Sequence, residues 1–302
     1  MNGKRYFHLC ADGVKARNFI QGKKDFIAAM NIIALCAANS GAVVVSFSLE
    51  DTHPHFLLYG TLAECSDFAR MFETVYGHYA ASTRSGGADL AMEIELYPAD
   101  TDEQHLMKVA AYTIIQPTKD GKRVMPYDYP WGTASLYFRT EGYIPVLMRD
   151  GRGGVFSPVT FGSMGYMQRR GILHSRKYSI PGSWLVCNGV ILPDNYVDAA
   201  RFESIFKTHN CFRVFQAGSK AMEKEILLHI AAVRGVAIED SQARRLCGDE
   251  CLRLFGFRDP RRLESLDKIR LAQNLRTAHR LTFRQLSTLV RLPEYELRRY
   301  VP

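Results

Sequence analysis

No stretch of this chain reaches the roughly 18–20 consecutive apolar residues that a membrane span requires, so no transmembrane helix is expected. Nor does it open like a secretory leader: Met1-Asn2-Gly3-Lys4-Arg5 leads straight into a strand pattern, and a cytoplasmic protein is expected. Paired cysteines are missing too. The seven thiols, an odd number, are scattered at 10, 36, 65, 187, 211, 247 and 251, and Cys10, Cys36 and Cys65 sit inside apolar patterns as small core residues. Cys247 and Cys251 are four apart with no second Cys or His pair at zinc spacing, which argues against a structural zinc and for reduced thiols.

What is present is ordinary in bulk and uneven in place. The 302 residues, 47% hydrophobic and 23% charged, suit about two soluble domains. Acidic residues are scarce at one end: from Arg253 to Pro302 eleven arginines and Lys268 face five acids, so +7 of the overall +8 lies there. A basic terminal module of this kind points to a polyanion, most often nucleic acid.

The first 150 residues alternate strand-like and helix-like segments. Arg5–Ala11 alternates and ends at the turn signal Asp12-Gly13; Lys23–Asn39 carries Phe26, Met30, Ile33 and Ala37 at helical spacing and stops before Gly41. Ala42–Ser48 is a β-branched run that returns through Leu49–Thr52 into a strand at His53–Tyr59. Ala63–Ser82 has a helical stripe of Phe68, Met71, Phe72, Val75, Tyr76 and Tyr79, and Asp89–Tyr97 makes a fourth strand. The order β-α-β-β-α-β predicts an α+β fold with a ferredoxin-like antiparallel sheet, one face covered by two helices and the other open. One more helix follows, with a capping-box pattern at Thr101 and Gln104 and an end at Pro117.

The chemistry is placed by two short constellations. In an extended strand residues i and i+2 share a face, so His53 and His55 would present two imidazoles side by side. On the added helix His105, Lys108, Tyr112 and Gln116 form a polar stripe opposite Leu106, Val109, Ala110, Thr113 and Ile114. With that stripe laid on the open sheet face, His53, His55 and the Gln116 amide oxygen would ligate Mg2+ or Mn2+. Tyr112 would be a nucleophile toward phosphorus. A phenol titrates near pH ~10, so the metal, or Lys108 a turn away, would have to favour its ionised form.

These residues resemble the single-tyrosine HUH transposases, and more closely their REP-associated branch. The resemblance covers the first ~135 positions and rests on Tyr6-Phe7-His8-Leu9, His53-Pro54-His55-Phe56-Leu57-Leu58, Tyr112-Thr113-Ile114-Ile115-Gln116-Pro117 and Asp128-Tyr129-Pro130-Trp131-Gly132-Thr133. The chain departs from the family pattern at Pro54 between the histidines, at Thr52 in place of Asn, and at Gln116 in place of Asn. The resemblance implies Mg2+- or Mn2+-dependent cleavage and joining of single-stranded or hairpin DNA, with His53 and His55 as ligands and Tyr112 as nucleophile.

The expected organisation is a catalytic domain over 1–150, a linker and unassigned mixed region over 151–250, and a basic helix-turn-helix-like module over 251–302. The Gly-rich stretch Gly151–Gly165 reads as the linker, Tyr178–Ile191 as a hairpin and Ala221–Val236 as a helix. Lys268–His279, Thr282–Val290 and Glu294–Val301 read as three short helices, the second opened by a Thr282–Gln285 capping box, with Arg284, Arg291, Arg298 and Arg299 as candidate DNA contacts. Two functions stand open: a metal-dependent DNA transesterase acting as monomer or homodimer, and a non-catalytic DNA- or RNA-binding regulator derived from a transposase. An RNA-binding sheet would display aromatics for base stacking, whereas the histidine strand favours metal chemistry.

Overall fold

The computed structural model describes residues 3–11, 19–84, 94–119, 124–140, 142–150, 152, 154–217, 240–279, 281 and 283–301, without the side chains of 11, 118–119, 216–217 and 240–242. The fold is α+β and divides into two compact units, Met1–Met222 and Glu223–Pro302.

The first unit is built on a four-stranded antiparallel sheet of β1 (Arg5–Ala11), β2 (Val43–Leu49), β3 (Pro54–Gly60) and β4 (Ile94–Pro98), in the order β2-β3-β1-β4. Helix α1 (Lys23–Ser40) joins β1 to β2, and α2 (Leu62–Thr83) joins β3 to β4. Both helices have legible ends. Gly41 stops α1 with a left-handed φ of 78°, which glycine adopts at no steric cost. Thr61 and Glu64 close a reciprocal capping box at the start of α2.

Strand alternation then sorts the side chains. Phe7 and Leu9 of β1, Phe56 and Leu58 of β3, and Val44 and Phe47 of β2 join the buried core with α1 and α2. A bulge between Val44 and Ser46 shifts the phase of β2, which puts Ser46 opposite Leu57 and Ser48 opposite His55. His8, Cys10, His55, Ser46 and Ser48 are therefore turned to the other face, and all five are buried.

Helix α3 (Glu103–Lys119) is what buries them. The Thr113 and Ser46 hydroxyls meet at 2.7 Å, which fixes α3 over β2. The outer side of α3 is covered in turn by α5 (Ala199–Phe206) and α6 (His209–Ala217). So the stripe expected to line an open face is enclosed: His105, Tyr112 and Gln116 are buried and Lys108 is half-buried. Two further expectations about this helix are corrected. Its cap is Asp102, whose carboxylate accepts the His105 N–H at 2.8 Å, rather than Thr101. Pro117 lies inside the helix, where its missing N–H forgoes one hydrogen bond, and α3 runs on to Lys119.

Past α3 the chain returns to the edge of β2. Leu49 N–H donates to the Trp131 carbonyl at 2.9 Å, Tyr129 donates its hydroxyl to the Leu49 carbonyl, and Thr133 exchanges bonds with Phe47. Gly132 sits where a Cβ would approach the Phe47 carbonyl to 3.3 Å, so a side chain there would crowd the strand backbone. The Asp128–Thr133 motif thus covers a sheet edge.

The expected linker is folded structure. Strand β5 (Val159–Thr160) pairs with β6 (Leu185–Cys187), which pairs with β7 (Val190–Ile191), and Phe161 is buried in the main core. Helix α4 (Tyr166–Leu173) adds Ile172 and Leu173 to that core. The link to α1 is a buried amide: Asn31 donates to the Gly189 carbonyl and accepts from Ile191 N–H, each at 2.8 Å. The Tyr178–Ile191 hairpin is real but shorter than expected. The helix expected over Ala221–Val236 and the Thr282 cap lie outside the described residues.

The second unit packs α7 (Asp240–Phe255), α8 (Ser265–His279), α9 (Phe283–Val290) and α10 (Glu294–Tyr300) around a core that includes Cys247, Cys251, Leu271, Leu275, Leu286, Val290 and Leu297. Both thiols are free and read as small apolar residues.

Candidate active site

Backbone pairing assembles this site from three elements. Cys10 and His55 are register partners across β1 and β3, and His8 lies two residues before Cys10 on the same face of β1. His8 Nε2 and His55 Nδ1 face each other at 3.4 Å, with ring planes 8° apart. His53 stands one residue before β3 rather than in it. It is nevertheless brought alongside, because Glu50 N–H donates to the His53 carbonyl at 3.1 Å and folds the β2–β3 turn. The His53 and His55 ring centroids are 4.5 Å apart, and Thr52 fixes the first ring through its hydroxyl, 2.7 Å from His53 Nδ1.

The tyrosine is delivered by α3. Its ring meets His55 at 5.4 Å and His8 at 5.8 Å between centroids, edge-on to both at 88° and 87°. Tyr112 is 5% exposed. Gln116, one turn on, donates its amide nitrogen to the Tyr112 carbonyl at 3.1 Å, so its oxygen is the end that could ligate an ion. The structure therefore brings together His53, His55 and Tyr112, ties Gln116 to Tyr112, and places Lys108 one turn before Tyr112.

Three residues were not singled out by sequence: His8, Cys10 and Glu50. Ligand atoms of Glu50, His53 and His55 lie within 4.8 Å of one another, as do those of His8, Cys10 and His55. Two imidazoles with a carboxylate are a donor set suited to a hard or borderline divalent ion. His55 belongs to both groups. The signal for Glu50 was its place three residues before His53 in a short turn. The i, i+2 spacing of His8 and Cys10 put them on one face of a strand but did not say which face receives the site.

In the second unit Arg284, Arg291, Arg298 and Arg299 are all exposed. Among the described residues no ion pair engages Arg284, Arg291 or Arg299, whereas Arg298 reaches Glu294 at 3.5 Å. Arg276 and Arg298 lie over one ring, Phe283, at 4.7 and 4.5 Å. Arg291 ends α9 with a left-handed φ of 54°, a conformation that disfavours a side chain.

No protein-family model matches the chain, and no curated protein matches it. Among solved structures, that of a REP-associated tyrosine transposase bound to a REP hairpin aligns with a TM-score of 0.33 and 11% identity, covering 51% of this chain and 91% of that one. A likeness at that score carries no functional weight; the side chains of the site carry it instead.

Among the described residues no helix is long and apolar enough to cross a membrane.

Proposed function

We propose that this protein cleaves and joins single-stranded DNA through a covalent phosphotyrosine formed on Tyr112. The observation that carries the reading is the meeting of Tyr112, edge-on, with His55, whose ligand atoms group with those of Glu50 and His53. His53 and His55 would hold Mg2+ or Mn2+, with Glu50 or the Gln116 oxygen as the third donor. The ion, when bound, polarises a phosphodiester and offsets developing negative charge.

The chain's own residues do the rest. Tyr112 loses its phenolic proton, its oxygen forms a bond to phosphorus, and the bond from phosphorus to one sugar oxygen breaks. That sugar oxygen takes up a proton and leaves as a hydroxyl. A hydroxyl from a second DNA end reverses the step and frees Tyr112, so no external energy source is needed. Lys108, four residues before Tyr112, favours the phenolate by its charge. Gln116 fixes the backbone of Tyr112 and with it the aim of the ring.

In this reading the element order and the β2-β3-β1-β4 sheet support a ferredoxin-like core. Helices α9 and α10 support a helix-turn-helix, with Arg284, Arg291, Arg298 and Arg299 on DNA phosphates. The four-motif resemblance over the first ~135 positions adds to it. The burial of Tyr112 favours a second reading, a retired site in a DNA-binding regulator.

The test is incubation with single-stranded and hairpin oligonucleotides and Mn2+, followed by a denaturing gel. The reading expects a covalent protein–DNA adduct with Mn2+ and none with a chelator. No adduct under any divalent ion leaves the regulator as the function.

A further inference from the structure

The same sheet face holds a second donor set of a different chemical kind. Two nitrogens on one tetrahedral zinc, with bonds of ~2.05 Å, sit about 3.3 Å apart. His8 Nε2 and His55 Nδ1 are 3.4 Å apart, close to that spacing, and form a hydrogen bond that an ion would replace. Cys10, the register partner of His55, completes the group with its sulfur inside the same 4.8 Å. Among the described residues this is the group of three ligand atoms that contains a cysteine. A thiolate with two imidazoles selects soft or borderline ions of the zinc class over Mg2+ or Mn2+. Three protein donors leave one position of a tetrahedron open, unlike the closed four-ligand shell of a structural zinc.

We propose that His8, Cys10 and His55 form a thiolate-containing site for a zinc-class divalent ion, and that filling it withdraws His55 from the Glu50–His53–His55 set. A neutral imidazole offers one nitrogen lone pair at a time, because the other nitrogen carries the proton. When Nδ1 turns to an ion shared with His8, Nε2 bears hydrogen and cannot ligate. Zinc is then an inhibitor built into the sheet, acting through the tautomer of one shared histidine. The competition rests on the hard-ion reading of Glu50, His53 and His55, whereas the soft site stands on its own donors.

The test uses the full-length, reduced, metal-free protein titrated with Co2+. The expected result is about one equivalent bound, with the near-ultraviolet thiolate-to-cobalt charge-transfer band. The band is lost in Cys10→Ala, binding weakens at least tenfold in His8→Gln, and both are unchanged in Glu50→Gln. Circular dichroism checks each fold, and Cys10→Ser carries the measurement where Cys10→Ala does not fold. In a second arm, electron paramagnetic resonance follows the release of bound Mn2+ as Zn2+ is added. Half-release in Cys10→Ala should need at least tenfold more Zn2+ than in the wild type. A cobalt band that survives in Cys10→Ala, no band in the wild type, or Mn2+ and Zn2+ retained together would overturn the proposal. An intact band in a protein that binds no Mn2+ would overturn the hard-ion reading and leave the soft site standing.

Discussion

The two faces of the first unit's sheet are made by the same strands, residue by alternate residue, and both are buried. Under α1 and α2 lie Phe7, Leu9, Val44, Phe47, Phe56 and Leu58; under α3 lie His8, Cys10, Ser46, Ser48 and His55. One face is dry packing, where rings such as Phe47, Phe56, Phe68 and Phe72 meet at 5.4–6.1 Å. The other gathers two imidazole-bearing donor sets and a tyrosine, groups that cost free energy to bury and that a packing layer would not select. Burial therefore does not separate core from site here; side-chain chemistry does. The bulge in β2 and the register of β1 on β3 are the devices that assign each residue to its face.

The sharpest way to break the contrast is a pair of neighbours on β3. Phe56→Ala should destabilise the protein by roughly 3–5 kcal/mol, the usual cost of emptying a ring-sized core site, and should leave metal affinity in the folded fraction unchanged. His55→Gln should do the reverse, removing Mn2+ binding while destabilising the protein less than Phe56→Ala does. Denaturant unfolding and metal calorimetry on both variants decide it. Equal destabilisation by the two would make the histidine face a second core.

Next in size is the ligand set. His53→Ala and Glu50→Gln should each weaken Mn2+ binding at least tenfold in calorimetry. Unchanged affinity in Glu50→Gln would pass the third position to Gln116.

These donors also mark how far the sequence could be read. Element order, the Gly41 stop and the amphipathic stripe of α2 were legible because they are local. His53, His55, Tyr112 and Gln116 were legible because each carries a spacing. His8 and Cys10 were not, since β1 is buried on both faces and hydrophobic alternation says nothing about which face receives the site. Their role depends on register with β3, and that is set by tertiary pairing. The same gap hid the middle of the chain, where Asn31 accepts a strand 160 residues away. The burial of helix α3 was not legible because nothing local announced α5 and α6 against it.

A smaller effect compares the first unit with the second. Neutralising Arg284, Arg291, Arg298 and Arg299 should flatten the salt dependence of DNA binding, by roughly 0.7–0.9 in the slope of log K for each phosphate left without its arginine. Adduct formation on a saturating oligonucleotide should persist. Arg291→Gly alone should remove one arginine–phosphate pair and gain up to about 1 kcal/mol of stability, since glycine suits the left-handed backbone there. Affinity unchanged at every salt concentration would make the terminal helices a packing unit.

The smallest effect is on the dry side. His174 packs on Tyr79 of α2 at 4.7 Å, and burial holds its imidazolium below the ordinary histidine range. The unfolded chain then takes up a proton more readily than the folded one. Stability from this group is complete above pH ~6.5 and declines as pH falls from there toward the depressed folded value. His174→Asn, which tolerates the same left-handed backbone, should flatten that part of the melting profile. An identical profile in the variant would assign the acid limb to other groups.

The central claim, that a strand face buried like a core is a reactive site, is tested most directly by isolating the covalent adduct formed with a single-stranded oligonucleotide and Mn2+, digesting it with protease and mapping the modified peptide by mass spectrometry. The account predicts a nucleotide phosphate on the α3 peptide, at Tyr112, and no adduct in Tyr112→Phe. A modification on Tyr97, Tyr127 or Tyr129, or an undiminished adduct in Tyr112→Phe, would contradict it.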